Sequence, residues 1–145
     1  MFKSILVPFD GSQGAEGALA KAAELSLLCD AELTLLTVYR HHSLLEASMH
    51  VVQAEAPDDL DAMMRAHARE VAERGKTLAR EAGAPRLRGF VKGGPVARTI
   101  TGFARDHQND LIVIGSRGLG SLEGVLLGSI SHKVTSFAEM PVLIV

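Results

Sequence analysis

Apolar positions along the chain follow two rhythms, short unbroken runs and longer stretches spaced by three and four residues. The runs "KSILVPFD" (3–10), "AELTLLTVYR" (31–40), "RLRGFVKG" (86–93), "DLIVIGS" (110–116) and "PVLIV" (141–145) have the length and residue types of strands. Between them lie helical faces. After Ser12, a capping residue, Ala15, Ala18, Leu19, Ala22, Ala23 and Ser26 share one face, and such small side chains predict close packing on a sheet. From the cap signal at Asp58, the stripe Leu60, Met64, His67, Val71, Gly75, Leu78 and Ala82 predicts a long helix, stopped near Gly83 and Pro85. Pro95 stands at a first helical position, followed by the apolar face Val96, Ile100, Phe103 and Ala104. Ile130, Val134 and Phe137 mark the last helix. Residues 41–57 carry no clear period, which suits a functional flap near a ligand or a disordered segment.

Strands alternating with helices require right-handed crossovers and a parallel sheet. The expected architecture is therefore one α/β domain over residues 1–145, a doubly wound five-stranded parallel sheet with helices on both faces. In such sheets ligands bind beyond the carboxyl ends of the strands, where the strand order reverses. That singles out the loops after the first and fourth strands, "PFDGSQG" and "GSRGLGSLEGVLLGS".

Composition narrows the partners. A formal net charge of −2 and a pI near 6.3 give no basic footprint for nucleic acid or an acidic membrane. No stretch has the length of a membrane span, and the opening apolar run is too short for a signal peptide. The single cysteine, Cys29, forms no internal disulfide, which suits a reducing compartment and a cytoplasmic location. Its place late in the first helix predicts a buried, inert thiol. Six histidines invite a metal reading. However, His41 and His42 are adjacent, His50 lies in the unpatterned stretch, and no cysteine or carboxylate joins them at ligand spacing. His67 reads as a packed or boundary residue, and His132 and Lys133 as surface residues within reach of a terminal phosphate.

The fourth loop carries the chemistry. In "GSRGLGSLEGVLLGSIS" (115–131), Gly115 and Gly118 lack a Cβ, so their backbone can approach phosphate oxygens and adopt positive φ. Gly128 and Ser129 stand where the last helix begins, offering free amides, a positive dipole end and a hydroxyl. The familiar nucleotide motifs do not fit. "DGSQGAEG" after the first strand has the wrong spacing for a dinucleotide fingerprint, and no lysine follows Gly128 as a P-loop demands. Asp10 has no second aspartate beside it for a phosphoacceptor site, and the chain lacks a His-x-Gly-His run for nucleotidyl transfer.

"ILVPFDGS", "VKGGPVARTI", "DLIVIGSRG" and "GSISHKVTSFAEMPVLIV" together resemble the universal stress protein family over nearly the whole chain. The family's G-x2-G-x9-G-[ST] signature is met at Gly115, Gly118, Gly128 and Ser129. The resemblance implies a Rossmann-like, adenine nucleotide alpha hydrolase-like fold and a homodimer that binds ATP; any Mg²⁺ is expected to be held by phosphates and water, since the ion commonly keeps several waters. Carried over by position, Pro8 and Asp10 lie beside the ribose and Val38 lines the adenine pocket. Gly115, Ser116, Arg117 and Gly118 wrap the ribose and phosphates, while Gly128, Ser129, Ile130 and Ser131 complete the phosphate cradle. Read without the family, Asp10 is also a turn former, Arg117 a solvated charge and Val38 a strand core residue.

No Walker lysine or second carboxylate is placed by motif for hydrolysis. The expected function is a nucleotide sensor whose bound state alters contacts with a protein partner, with slow or no turnover. The alternatives are a dimeric interaction module independent of nucleotide, which the retained glycines argue against, and a genuine ATPase. The apolar "PVLIV" at a sheet edge would be covered by pairing with its own copy about a two-fold axis.

Overall fold

The structure, a computed structural model, describes residues 1–40, 57–119 and 126–145. Strand β1 (Ser4–Pro8) is buried along nearly its whole length, as the middle strand of a parallel sheet must be. It pairs with β2 (Glu32–Tyr39) on one side and β4 (Leu111–Ile114) on the other; β3 (Leu87–Gly93) and β5 (Val142–Ile144) form the edges. The order β3-β2-β1-β4-β5 is parallel throughout and reverses direction between β1 and β4.

Period-two alternation sorts each strand's side chains between two cores. Ile5, Val7, Leu33, Leu35, Leu111 and Val113 meet helices α1 (Gln13–Cys29) and α2 (Pro57–Glu81). Leu6, Leu36, Ile112 and Ile114 meet α3 (Val96–Asp106) and α4 (Ser129–Phe137) on the opposite face. The expected doubly wound architecture is present.

Helix α1 begins as its sequence dictates. The Ser12 hydroxyl accepts the Ala15 N–H at 3.1 Å, and Ala15, Ala18, Leu19, Ala22, Ala23 and Ser26 are its buried face. Cys29 is half-buried against the core rather than fully enclosed, because the helix closes at Asp30 beside it.

Helix α2 departs from its expected stripe. It starts at Pro57, one residue before the anticipated cap, and its buried line is Ala68, Ala72, Gly75 and Ala79. Val71 and Leu78 flank that line, while His67 and Ala82 are exposed. A Cβ on Gly75 would lie 2.5 Å from Leu35 Cδ1 and 2.7 Å from Phe9 Cδ1. The helix therefore approaches the sheet through its smallest side chains, and the larger ones are displaced to the shoulders. In α3 the N-cap is Pro95 and the helix starts at Val96, so the proline precedes the first helical position by one. In α4, Val134 and Ser131 are buried, but Phe137 is 47% exposed and belongs to the surface rather than to the core.

Candidate functional site

The β1–β2 ladder continues to Pro8, opposite Leu36, whereas the β1–β4 ladder reaches only Leu6, opposite Ile112. Proline has no N–H to extend a ladder. Beyond Leu6 the ends of β1 and β4 no longer pair with each other, and a cavity of about 320 Å³ opens at the point where the strand order reverses.

One rim is the corner after β1. The Phe9 N–H donates to the Leu36 carbonyl at 2.8 Å, and the Thr37 hydroxyl donates to the Phe9 carbonyl at 2.9 Å, pinning the corner to β2. Gly11 turns the chain into α1 with φ +83°, a conformation glycine adopts without steric cost. Asp10 spans the opening: Oδ1 accepts the Ser12 N–H at 2.9 Å, and Oδ2 accepts the Leu119 N–H at 3.3 Å. One carboxylate thus ties the first loop to the fourth.

The opposite rim is the loop after β4. A Cβ on Gly115 would lie 2.6 Å from the Gly14 backbone, and one on Gly14 would collide with the Arg117 carbonyl. The missing side chain at Gly115 therefore lets the first turn of α1 pack on this loop. Gly118 serves clearance: its Cβ would stand 2.7 Å from Asp10 Oδ2. Positive φ, expected at Gly115 and Gly118, is found among the described glycines at Gly11, Gly83 and Gly94 instead.

Two hydrogen bonds fasten this loop to the start of α4. The Gly128 N–H donates to the Ser116 carbonyl at 2.6 Å, and the buried Ser131 hydroxyl donates to the Gly115 carbonyl at 2.7 Å. Both donors were expected to face a phosphate; both are turned to the loop instead. Ser116 also departs from expectation. It lies outside the cavity wall, and its own N–H donates to the Val145 carbonyl at 2.9 Å. Fixed in this way, α4 presents its first turn to the cavity through Gly128, Ser129, Ile130 and Ser131. The N-cap Gly128 supplies no side-chain cap, no acidic residue stands in the first turn, and the opening amides of a helix have no intrahelical acceptor.

Pro8, Asp10, Val38, Gly115, Arg117, Gly118, Gly128, Ser129, Ile130 and Ser131 all line one cavity. Sequence reasoning missed most of its apolar wall, Leu36, Val96, Ile100 and Ile114, and the cation Arg40. The strand period was the available signal, since Leu36 and Val38 alternate onto one face of β2 and Arg40 follows at the same spacing just past its end. His132 and Lys133 are exposed, and neither lines this cavity. Among the described residues no three of His, Cys, Asp and Glu stand close enough to hold a metal ion, and no helix is long and apolar enough to cross a membrane. The expected flap, within 41–57, falls outside the described residues except for Pro57. His41, His42 and His50 likewise fall outside them, as do Gly120 and Gly124.

The profile of the universal stress protein family matches residues 1–145. Universal stress protein YxiE of Bacillus subtilis is 34% identical over 148 residues, an alignment covering 100% of this chain and 99% of the relative. The universal stress protein UspA from Lactobacillus plantarum superposes with a TM-score of 0.83 at 27% identity, covering 99% of this chain and 97% of that one. Two more distant structures share the fold. A universal stress protein in complex with cAMP has a TM-score of 0.74 at 23% identity, covering 99% and 96% of the two chains. One from Archaeoglobus fulgidus in complex with dAMP has a TM-score of 0.69 at 20% identity, covering 99% and 97%. With its strand order, its glycine signature and this match along its full length, the chain belongs to the universal stress protein family.

Proposed function

We propose that this chain binds ATP in the cavity between β1 and β4 and acts as a nucleotide-dependent sensor and regulator in the stress response, with slow or no hydrolysis. The observation that carries this reading is the uncapped first turn of α4 facing an apolar wall across one cavity. Such a pair suits a ligand that is flat and apolar at one end and anionic at the other. The cAMP and dAMP held by relatives of this fold support an adenine nucleotide.

Val38, Leu36 and Ile100 form the wall for the base. The Asp10 carboxylate, a hydrogen-bond acceptor, faces the ribose hydroxyls, and Pro8 fixes the corner that carries it. The main-chain amides of Ser129, Ile130 and Ser131 receive the phosphates, with Arg117 adding charge from the rim. Gly115, Ser116 and Gly128 act through the backbone, holding the two loops at the separation the ligand needs.

Asp10 is the only carboxylate among the described lining residues, and both its oxygens already accept amides. A Mg²⁺ ion would therefore rely on ATP oxygens and water, which suits an ion that keeps several waters. No histidine or lysine among the described residues lines the cavity to orient and deprotonate a water, which supports slow or no turnover.

The functional unit is a homodimer paired through residues 141–145. β5 is hydrogen-bonded to β4 on one side only, and Leu143 and Val145 are 37% and 40% exposed. The other edge strand, β3, carries Arg88 and Lys92, charges that discourage pairing. Leu143→Lys gives β5 the same protection and should yield a folded monomer by light scattering; an unchanged dimer would refute this interface.

Native mass spectrometry of the purified protein, repeated after denaturation, tests the ligand directly by identifying a co-purifying adenine nucleotide. Titration calorimetry then compares the parent with Gly118→Val, whose side chain would strike Asp10 Oδ2. The variant should fold and lose about a hundredfold in ATP affinity, about 2.7 kcal/mol. Equal affinity in the two proteins would show that the loop does not cradle the nucleotide.

A further inference from the structure

Beside the cavity, a second groove of about 610 Å³ runs between the first turn of α3 and the outer face of α4. The two spaces adjoin: Arg40, Val96 and Ile130 line both. Arg98 and Lys133 line only the groove.

Cations, and no carboxylate, are among the described residues that line this groove. Six cations elsewhere sit beside carboxylates, in Lys21–Glu24, Arg74–Glu16, Lys76–Glu73, Arg86–Asp30, Arg88–Glu32 and Arg105–Asp106. Arg40, Arg98 and Lys133 take part in none of these pairs, and no carboxylate is among the described residues lining the groove. A chain with net charge −2 thus gathers three cations in one place without an anion of its own among the described residues. The Pro95 cap of α3 adds a helix start with no side-chain cap and no acidic first turn.

The groove is not purely ionic. Phe137 stands half-exposed at its side with the Arg98 guanidinium 5.7 Å from the ring centroid, and Ile130 and Val96 continue the apolar surface towards the first cavity. An aromatic and aliphatic wall beside uncompensated cations repeats the pairing of chemistries seen at the β1–β4 opening. That repetition on either side of shared residues suits one ligand with two similar halves.

We propose that the two spaces together take a dinucleotide, two nucleoside halves joined by a phosphate bridge. One half occupies the β1–β4 cavity, the bridge passes Arg40, and the second base lies on the Phe137 side between Arg98 and Lys133. This rests on the nucleotide reading of the first cavity and extends it to the class of ligand. The shared wall favours a single bridging molecule over an acidic polypeptide, which would need the groove alone.

The test is calorimetry of the full chain with AMP, ATP, diadenosine tetraphosphate and an octaglutamate peptide, repeated on Arg98→Ala/Lys133→Ala. Both side chains are exposed, and circular dichroism melts verify that the double variant folds. Diadenosine tetraphosphate should bind the parent about tenfold tighter than ATP, and the double variant should lose that advantage with AMP affinity unchanged. If AMP and ATP bind but the dinucleotide gains nothing, or its gain survives the double substitution, the inference is overturned and the nucleotide reading stands. Octaglutamate binding that needs Arg98 and Lys133, without a dinucleotide gain, overturns it in favour of an acidic protein partner. If no nucleotide binds at all, the reading of the first cavity fails, and the dinucleotide fails with it.

Discussion

Helices α1 and α4 both begin at the carboxyl rim of the sheet, after β1 and β4, yet their first turns are finished in opposite ways. At α1 the Ser12 hydroxyl accepts the Ala15 N–H, and Glu16 places a carboxylate in the first turn, where Arg74 pairs with it. At α4 the cap is Gly128, which has no side chain, and the first turn is Ser-Ile-Ser. A helix start satisfied by its own side chains has little left for an anion, whereas one left bare keeps its amides and the positive end of its dipole available. On the proposed reading, two helices with the same position relative to the sheet divide the work: α1 anchors the wall and α4 receives the charge.

Making α4 resemble α1 breaks that division most directly. Ser129→Asp, at an exposed position, should weaken ATP binding by about a hundredfold through repulsion of the phosphates. The same substitution should stabilise the free protein by about 0.3–1 kcal/mol in urea unfolding, because the carboxylate now complements the dipole. Opposite signs in the two measurements are the expected outcome; a loss of both would mean that the side chain disrupts packing instead. Making α1 resemble α4 is a smaller change. Ser12→Ala removes the acceptor for the Ala15 N–H and should cost about 1 kcal/mol in the same unfolding experiment. Smallest of all is Ser129→Ala, which keeps the amide and removes only the hydroxyl. ATP affinity close to the parent's is expected from calorimetry, and a large loss would show that the hydroxyl rather than the backbone carries the contact.

The glycine signature located the cavity because its positions are backbone requirements, and backbone requirements leave a mark on the residue type. The positive φ expected at Gly115 is nevertheless absent, and that residue makes room for Gly14, a contact between positions far apart in the chain. No local pattern announces such a meeting. The same holds for Ile100 and Arg40, which join the cavity only because β2 neighbours β1 and α3 packs on that face. The α2 stripe misled for a different reason. Hydrophobic spacing ranks large side chains first, but closeness to a sheet is won by small ones, so Ala68, Ala72 and Ala79 join the expected Gly75 on the buried line while Leu60 and Met64 do not. Phe137 fits the helical period as well as Val134 does, and only the tertiary structure separates the surface residue from the core one.

Ser116 has a consequence beyond bracing the loop. Its carbonyl accepts from the start of α4, where the anion would sit, and its N–H donates to Val145, just past the strand at the free sheet edge. One peptide group on either side of a single α-carbon therefore belongs to both neighbourhoods. If filling the cavity shifts that residue, the shift is felt at the edge, and thermodynamic reciprocity fixes the size of the return effect. Whatever factor nucleotide applies to self-association, self-association must apply to nucleotide affinity. Dilution would then release ligand as well as separate subunits, and a protein at low copy number would sense nucleotide differently from the same protein at high abundance.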